Sequence, residues 1–217
     1  MEFYLDSANI DEIEATKRLG LLDGVTTNPS LLAKEGNSPD EQIANIANII
    51  DDRPISLEVI STNANDMIEE GYELIKKAEN VVIKIPITTE GLKAIQTLFK
   101  DQYNTNATLC FNSAQYILAC KAGATYVSPF IGRLDDIGLK GIDLVKDIIK
   151  IYENYIWNTE VIVASIRSIE HVIESARLGA DIATIPFSII NKLIKHPLTD
   201  IGLENFMKDY ESIKNLK

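Results

Sequence analysis

Eight short runs of β-forming residues alternate with longer amphipathic stretches along the whole chain. The runs fall at residues 3–6, 24–28, 55–60, 81–86, 106–111, 126–131, 161–166 and 182–187. Helical patterns lie between them, among others at 62–78, 88–100, 113–122, 142–155 and 168–178. Gly123 and Gly179 follow two of these stretches, where a helix ends on a left-handed residue. Asn28-Pro29-Ser30 and Thr88-Thr89-Glu90 have the chemistry of helix starts. Strict alternation of strand and helix implies a parallel sheet with helical crossovers. Eight such units in 217 residues predict an α/β fold, a compact (β/α)8 TIM barrel spanning residues 1–217 as one domain. An open, doubly wound sheet is the alternative. Residues 198–217, with Phe206 and Tyr210, read as an extra C-terminal helix that covers the barrel or reaches a neighbouring subunit.

Strand side chains alternate between faces. One face carries Phe3/Leu5, Leu57/Val59, Val81/Ile83/Ile85, Ala107/Leu109 and Ile162/Ala164/Ile166, all suited to packing under outer helices. The opposite face carries Tyr4/Asp6, Thr26/Asn28, Ser56/Glu58, Lys84, Asn106/Thr108, Tyr126/Ser128/Phe130 and Ser165/Arg167. In a barrel this second set points inward, with its polar members toward the C-terminal strand ends, the catalytic face of that fold. Lys84 stands out because Val81-Val82-Ile83-Lys84-Ile85-Pro86 is otherwise apolar. A buried lysine that loses its proton is a nucleophile toward carbonyl substrates. The plain alternative is a strand-end lysine whose ammonium reaches solvent. Asp6, Glu58, Lys84 and Arg167 cannot all be buried without partners, so they form either structural ion pairs or a site.

The formal net charge of −11 argues against nonspecific nucleic-acid binding and means that an anionic substrate needs locally placed cations. Apolar runs last only a few residues between charges, so no membrane association is expected. The N-terminus lacks a secretory pattern, and Cys110 and Cys120 have no CxxC spacing, so a cytoplasmic protein with reduced thiols is expected. His171 and His196 are too few for a metal-dependent hydrolase and read as structural or surface residues.

Several segments together resemble the transaldolase family, specifically the short-chain branch shared with fructose-6-phosphate aldolases. They are Tyr4-Leu5-Asp6, Gly24-Val25-Thr26-Thr27-Asn28-Pro29-Ser30, Val82-Ile83-Lys84-Ile85-Pro86 with Glu90-Gly91-Leu92, Thr108-Leu109-Cys110-Phe111, Ser128-Pro129-Phe130-Ile131-Gly132-Arg133-Leu134-Asp135-Asp136 and Ala164-Ser165-Ile166-Arg167. The resemblance covers essentially the whole chain and implies a (β/α)8 barrel. It implies that Lys84 forms a Schiff base and that Asp6 exchanges a proton with the sugar's C4 hydroxyl. Glu58 and Thr108 would hold the water that shuttles protons. Asn28, Asn106 and Ser128 would bind the hydroxyls of a dihydroxyacetone unit, and Arg133, Ser165 and Arg167 the phosphate. A protonated imine is itself an electron sink, so no metal or organic cofactor is required. Guanidinium groups suit phosphate oxygens.

The aldolase branch typically has glutamine at the position of Glu58 and tyrosine at that of Phe130. This chain has the transaldolase pattern at both positions, and Arg167 follows it too. The expected reaction moves a three-carbon ketol unit from sedoheptulose 7-phosphate to glyceraldehyde 3-phosphate, giving erythrose 4-phosphate and fructose 6-phosphate, in the non-oxidative pentose phosphate pathway. Fructose-6-phosphate aldolase is the alternative, and a non-catalytic sugar-phosphate-binding barrel a more distant one. The resemblance also implies a homo-oligomer, a decamer of two pentameric rings, with Phe206 and Tyr210 as contact candidates.

Overall fold

The computed structural model describes residues 1–214. Residues 215–217, which the C-terminal helical reading included, lie outside the described residues. The chain runs β1 (Glu2–Asp6), α1 (Ile10–Arg18), β2 (Gly24–Thr26), α2 (Pro29–Lys34), α3 (Pro39–Ile50), β3 (Ile55–Glu58), α4 (Ala64–Ile75), β4 (Val81–Pro86), α5 (Thr89–Lys100) and β5 (Thr105–Cys110). It continues through α6 (Ser113–Ala122), β6 (Tyr126–Pro129), α7 (Ile131–Asp136), α8 (Gly141–Tyr152), β7 (Glu160–Val163), α9 (Ile169–Leu178), β8 (Ile182–Ile185), α10 (Phe187–Ile194) and α11 (Pro197–Lys214). The eight strands pair in parallel in sequence order, and β8 closes on β1. This is the (β/α)8 barrel that the alternation predicts.

Helix boundaries follow local chemistry. The side chains of Asn28, Thr88, Asn112 and Ser168 each accept a backbone N–H from the first turn of the helix they precede. Gly123 and Gly179 end α6 and α9 in left-handed conformation, at φ 90° and 81°. Six of the strands end before the sequence pattern does, because the chain leaves the sheet there to build the loops of the site.

Two apolar layers hold the barrel. The outer layer packs strand residues such as Leu57, Ile83, Ile85 and Val127 against helix residues such as Ile46, Ile95 and Ile148. The inner layer is a plug of Tyr4, Val82, Tyr126, Ile162 and Ile182, all buried. Ile162 corrects the phase expected for β7, since Val161 and Val163 face the helices and Ile162 faces inward. A Val-Ile-Val-Ala run is apolar on both faces, so no alternation fixes its phase. Ser165 at φ 60° then turns the chain, which is why Ser165 and Ala164 both reach the interior. Leu109 also departs from the expected alternation. At φ 58° it bulges between Ala107 and Cys110, and Cys110 takes the outer core position. Among the described residues, no helix is long and apolar enough to cross a membrane.

Candidate active site

Register brings the polar residues together. Glu58 lies opposite Lys84, and Lys84 opposite Asn106, on neighbouring parallel strands. Above the apolar plug, a cavity of about 210 Å³ opens at the C-terminal strand ends. Its wall is Asp6, Thr26, Asn28, Lys84, Ser128, Phe130, Arg133, Ala164, Ser165, Arg167 and Thr184. Clefts of about 710 and 480 Å³ lie near the strand starts, beside Val81 and Thr125. Its place at the C-terminal strand ends, with Asp6, Lys84, Arg133 and Arg167 converging on it, makes the smaller cavity the candidate site.

Lys84 is buried, at 5% exposure. Its Nζ lies 3.1 Å from Glu58 Oε2 and donates to the Thr27 carbonyl at 3.0 Å. A buried cation needs both kinds of partner. Asp6 accepts from Thr26 Oγ1 at 3.2 Å, and Thr26 is in turn 2.6 Å from the Thr184 hydroxyl. Burial pushes the Asp6 carboxyl above its ordinary range, while Lys84 and the Thr26 hydrogen bond pull it back in part. Asp6 is thus biased toward holding a proton that it can return.

Asn106, Ser128 and Ser56 form a buried chain: Ser128 Oγ donates to Asn106 Oδ1 at 2.8 Å, and Asn106 Nδ2 donates to Ser56 Oγ at 3.3 Å. The Thr108 hydroxyl is buried without a hydrogen-bond partner. A buried polar atom left unpaired in this way calls for water or ligand. Asn28 uses its Oδ1 to cap α2, accepting from Leu31 N at 3.0 Å, which leaves its amide N–H groups for the cavity. Glu58, Asn106 and Thr108 lie outside the cavity wall. Glu58 reaches the cavity through Lys84, and Asn106 through Ser128.

Phe130 stands between two cations: the Arg133 guanidinium carbon is 5.3 Å from its ring centre and Lys84 Nζ is 6.0 Å away. Arg133 joins no ion pair with a carboxylate among the described residues. The two carboxylates that follow it in α7, Asp135 and Asp136, are engaged elsewhere. Asp135 accepts from Gly141 N at 2.8 Å and pairs with His171 Nε2 at 3.0 Å. Asp136 pairs with Arg167, with Arg167 Nη2 2.7 Å from Asp136 Oδ2. Arg167 therefore stands at the rim of the cavity and in a surface ion pair at once, and the sequence presented these as alternatives.

The loop after β7 and the start of α7 are seated on one another. Ile131 N donates to the Ala164 carbonyl, and Gly132 N to the Ser165 carbonyl, both at 3.1 Å. A Cβ on Gly132 would lie 2.2 Å from the Ser165 carbonyl oxygen and 2.8 Å from Arg167 Nε, so glycine is needed there for the close approach. His171 bridges Asp135 and the Arg167 backbone N–H, and His196 Nδ1 accepts from Leu198 N at 3.2 Å. Both histidines hold backbone and neighbours, as expected of structural residues. Cys110 and Cys120 are buried free thiols, and burial raises both. The reading of the residues left Thr184 and the Asp136–Arg167 pair unassigned. Extending the inward alternation of Ile182 along β8 would have found Thr184.

A closed parallel barrel that gathers a lysine, carboxylates and arginines at the C-terminal ends of its strands is a TIM-barrel enzyme. The chain belongs to the transaldolase/fructose-6-phosphate aldolase family, whose profile matches residues 3–217. It is 56% identical to a probable transaldolase of Thermodesulfovibrio yellowstonii over 214 residues, covering 99% of this chain and 100% of the relative. A probable transaldolase of Caldicellulosiruptor saccharolyticus is also 56% identical, with 98% of each chain covered. A probable transaldolase of Methanococcus maripaludis is 54% identical, covering 99% of this chain and all of the relative. Among solved structures, a thiamine phosphate pyrophosphorylase from Pyrococcus furiosus is similar with a TM-score of 0.60, at 10% identity and 85% coverage of each chain. That likeness is one of fold alone.

Proposed function

We propose that the chain is a transaldolase that carries a dihydroxyacetone unit on Lys84 from sedoheptulose 7-phosphate to glyceraldehyde 3-phosphate. The products are erythrose 4-phosphate and fructose 6-phosphate, and the reaction belongs to the non-oxidative pentose phosphate pathway of the cytoplasm. The observation that carries the reading is the Lys84–Glu58 pair, 3.1 Å apart at the edge of a polar cavity. Full-length relatives named probable transaldolases support it.

Lys84 Nζ attacks the C2 carbonyl of the donor, and the carbonyl electrons move to oxygen. Glu58 is the acceptor within reach for the proton the amine gives up. The water held by Glu58 and Thr108 carries this proton and a second one from the Lys84 nitrogen to the C2 oxygen, which departs as water and leaves a protonated imine that keeps the third. Asp6 then takes the C4 hydroxyl proton. The C3–C4 bond breaks, its electron pair flows into the imine, and an enamine remains on Lys84 while the aldose leaves. The enamine carbon adds to the acceptor aldehyde, Asp6 returns its proton to the new hydroxyl, and hydrolysis of the imine frees Lys84. Asn28, Asn106 and Ser128 bind the hydroxyls of the three-carbon unit, and Arg133, Ser165 and Arg167 bind the phosphate. No step draws on a metal or organic cofactor.

Phe130 favours transfer over release because its ring carries no hydroxyl to position water beside the enamine. The test is a coupled assay on fructose 6-phosphate. Glyceraldehyde 3-phosphate should form steadily only when erythrose 4-phosphate is added. Steady formation without acceptor, matched by free dihydroxyacetone, would make the chain an aldolase. Glu58→Gln combined with Phe130→Tyr should raise dihydroxyacetone release relative to transfer. The enzyme acts as a homo-oligomer, and α11 is the contact element, since none of its residues is buried against its own barrel.

A further inference from the structure

We propose that Asp136 sets how tightly the site holds a phosphate, by fixing the Arg167 guanidinium at the cavity rim and withholding part of its charge. This rests on the reading above, in which Arg133 and Arg167 face the phosphate of the sugar.

The two arginines are not equivalent. Arg133 stacks on Phe130 and joins no ion pair with a carboxylate among the described residues. Arg167 meets both oxygens of Asp136 through its two terminal nitrogens. A guanidinium has five N–H donors and one positive charge. The forked pair takes donors from each terminal nitrogen and offsets the charge, so an arriving phosphate meets about one net positive charge here in place of two.

The backbone that presents Asp136 to Arg167 is tied in place. Asp136 ends α7, whose first turn is bonded to the segment carrying Arg167 by Ile131 N–Ala164 O and Gly132 N–Ser165 O. Its neighbour Asp135 is tied to His171, and His171 Nδ1 accepts from the backbone N–H of Arg167 at 3.3 Å. A phosphate therefore shares Arg167 with Asp136 and does not replace it. The result is a looser grip that exchanges quickly, as suits a site that must release one phosphorylated sugar and admit another in each turnover.

Asparagine at this position keeps one acceptor for the guanidinium and removes the charge. Asp136→Asn should bind inorganic phosphate, measured as a competitive inhibitor of transfer, about three- to tenfold more tightly. KM for fructose 6-phosphate should fall in proportion, kcat should fall as release slows, and the gain should shrink with added salt. A merely structural Asp136 predicts the reverse, because a loosened Arg167 binds phosphate less well. Unchanged or weaker phosphate inhibition in folded Asp136→Asn, repeated in Asp136→Ser, overturns the proposal. Arg133→Ala separates this failure from a wrong phosphate assignment. If it leaves phosphate inhibition unaltered, both readings fall. If it weakens inhibition while Asp136→Asn does not tighten it, the Asp136 inference alone falls.

Discussion

Asp6 sits where its own charge is disfavoured, and this links chemistry to stability. Its carboxyl is raised above the ordinary range by burial, so the native state binds a proton that the unfolded chain has already lost. The stability this provides is present at the acidic end and is lost as pH rises through the raised native value. At neutral pH the burial of Asp6 therefore costs stability. Asp6→Asn should therefore raise Tm at pH 7, with the advantage vanishing below about pH 4, near the ordinary aspartate pKa. The same variant should slow transfer by about 10²- to 10⁴-fold, the usual contribution of a proton-transfer group. Lys84→Met should lower kcat by at least about a thousandfold in a folded protein that borohydride no longer traps with substrate; substantial residual transfer would sink the Schiff-base assignment. Lys84 was legible as an inward charge because its strand is otherwise apolar, and Asp6 because alternation puts it on the same face as Tyr4. The partner of Arg167 was not, because Asp136 lies 31 residues away and only the meeting of α7 with the loop after β7 joins them.

At the level of elements, the strands that flank β6 both carry a left-handed residue that is not glycine toward their C-terminal ends, Leu109 at a bulge within β5 and Ser165 just after β7. Such residues are strained and persist where surrounding structure over-determines them. At Ser165 that structure is the first turn of α7, with Gly132 beneath it. Gly132→Ala should force the two segments apart, raise KM for phosphorylated sugars by about tenfold or more, and lower Tm; unchanged KM would mean that this seat does not position Arg167. The opposite end of the barrel carries its own tension. Glu2 and Glu160, at the starts of β1 and β7, are raised by burial and by the acidic neighbours Asp23 and Asp181. Glu160→Gln should raise Tm at pH 7, and the gain should fade as pH drops through the ordinary glutamate range near 4.5. Element type was legible from periodicity and capping residues. The phase of β7 was not, because its run is apolar on both faces, and α7 was not, because Ser-Pro-Phe-Ile reads as strand until Ser165 bends to meet it.

For the molecule as a whole, the repeat of strand and helix made the barrel legible, and the closure of β8 on β1 completes it. The helix beyond it follows a different logic. Along α11, Leu203, Phe206, Met207, Tyr210 and Ile213 form one stripe at helical spacing, each 57–72% exposed. In proteins most helical stability comes from packing an apolar face, so this stripe needs cover. Phe206→Asp with Tyr210→Asp should yield a smaller particle by light scattering while leaving the barrel folded; an unchanged mass would remove α11 from the proposed contact. The plug of Tyr4, Val82, Tyr126, Ile162 and Ile182 has a kinetic consequence. It closes the barrel below the cavity, so sugars enter and leave by the mouth at the C-terminal strand ends. A cavity of about 210 Å³ is smaller than the roughly 300–1,000 Å³ usual for ligand pockets, too small for two sugar phosphates side by side. Donor and acceptor must therefore take turns. Double-reciprocal plots should be parallel, as in a ping-pong exchange, and in the proposed reaction each cycle would pass through a stage in which the protein itself, three carbons heavier, is the sole custodian of the cargo.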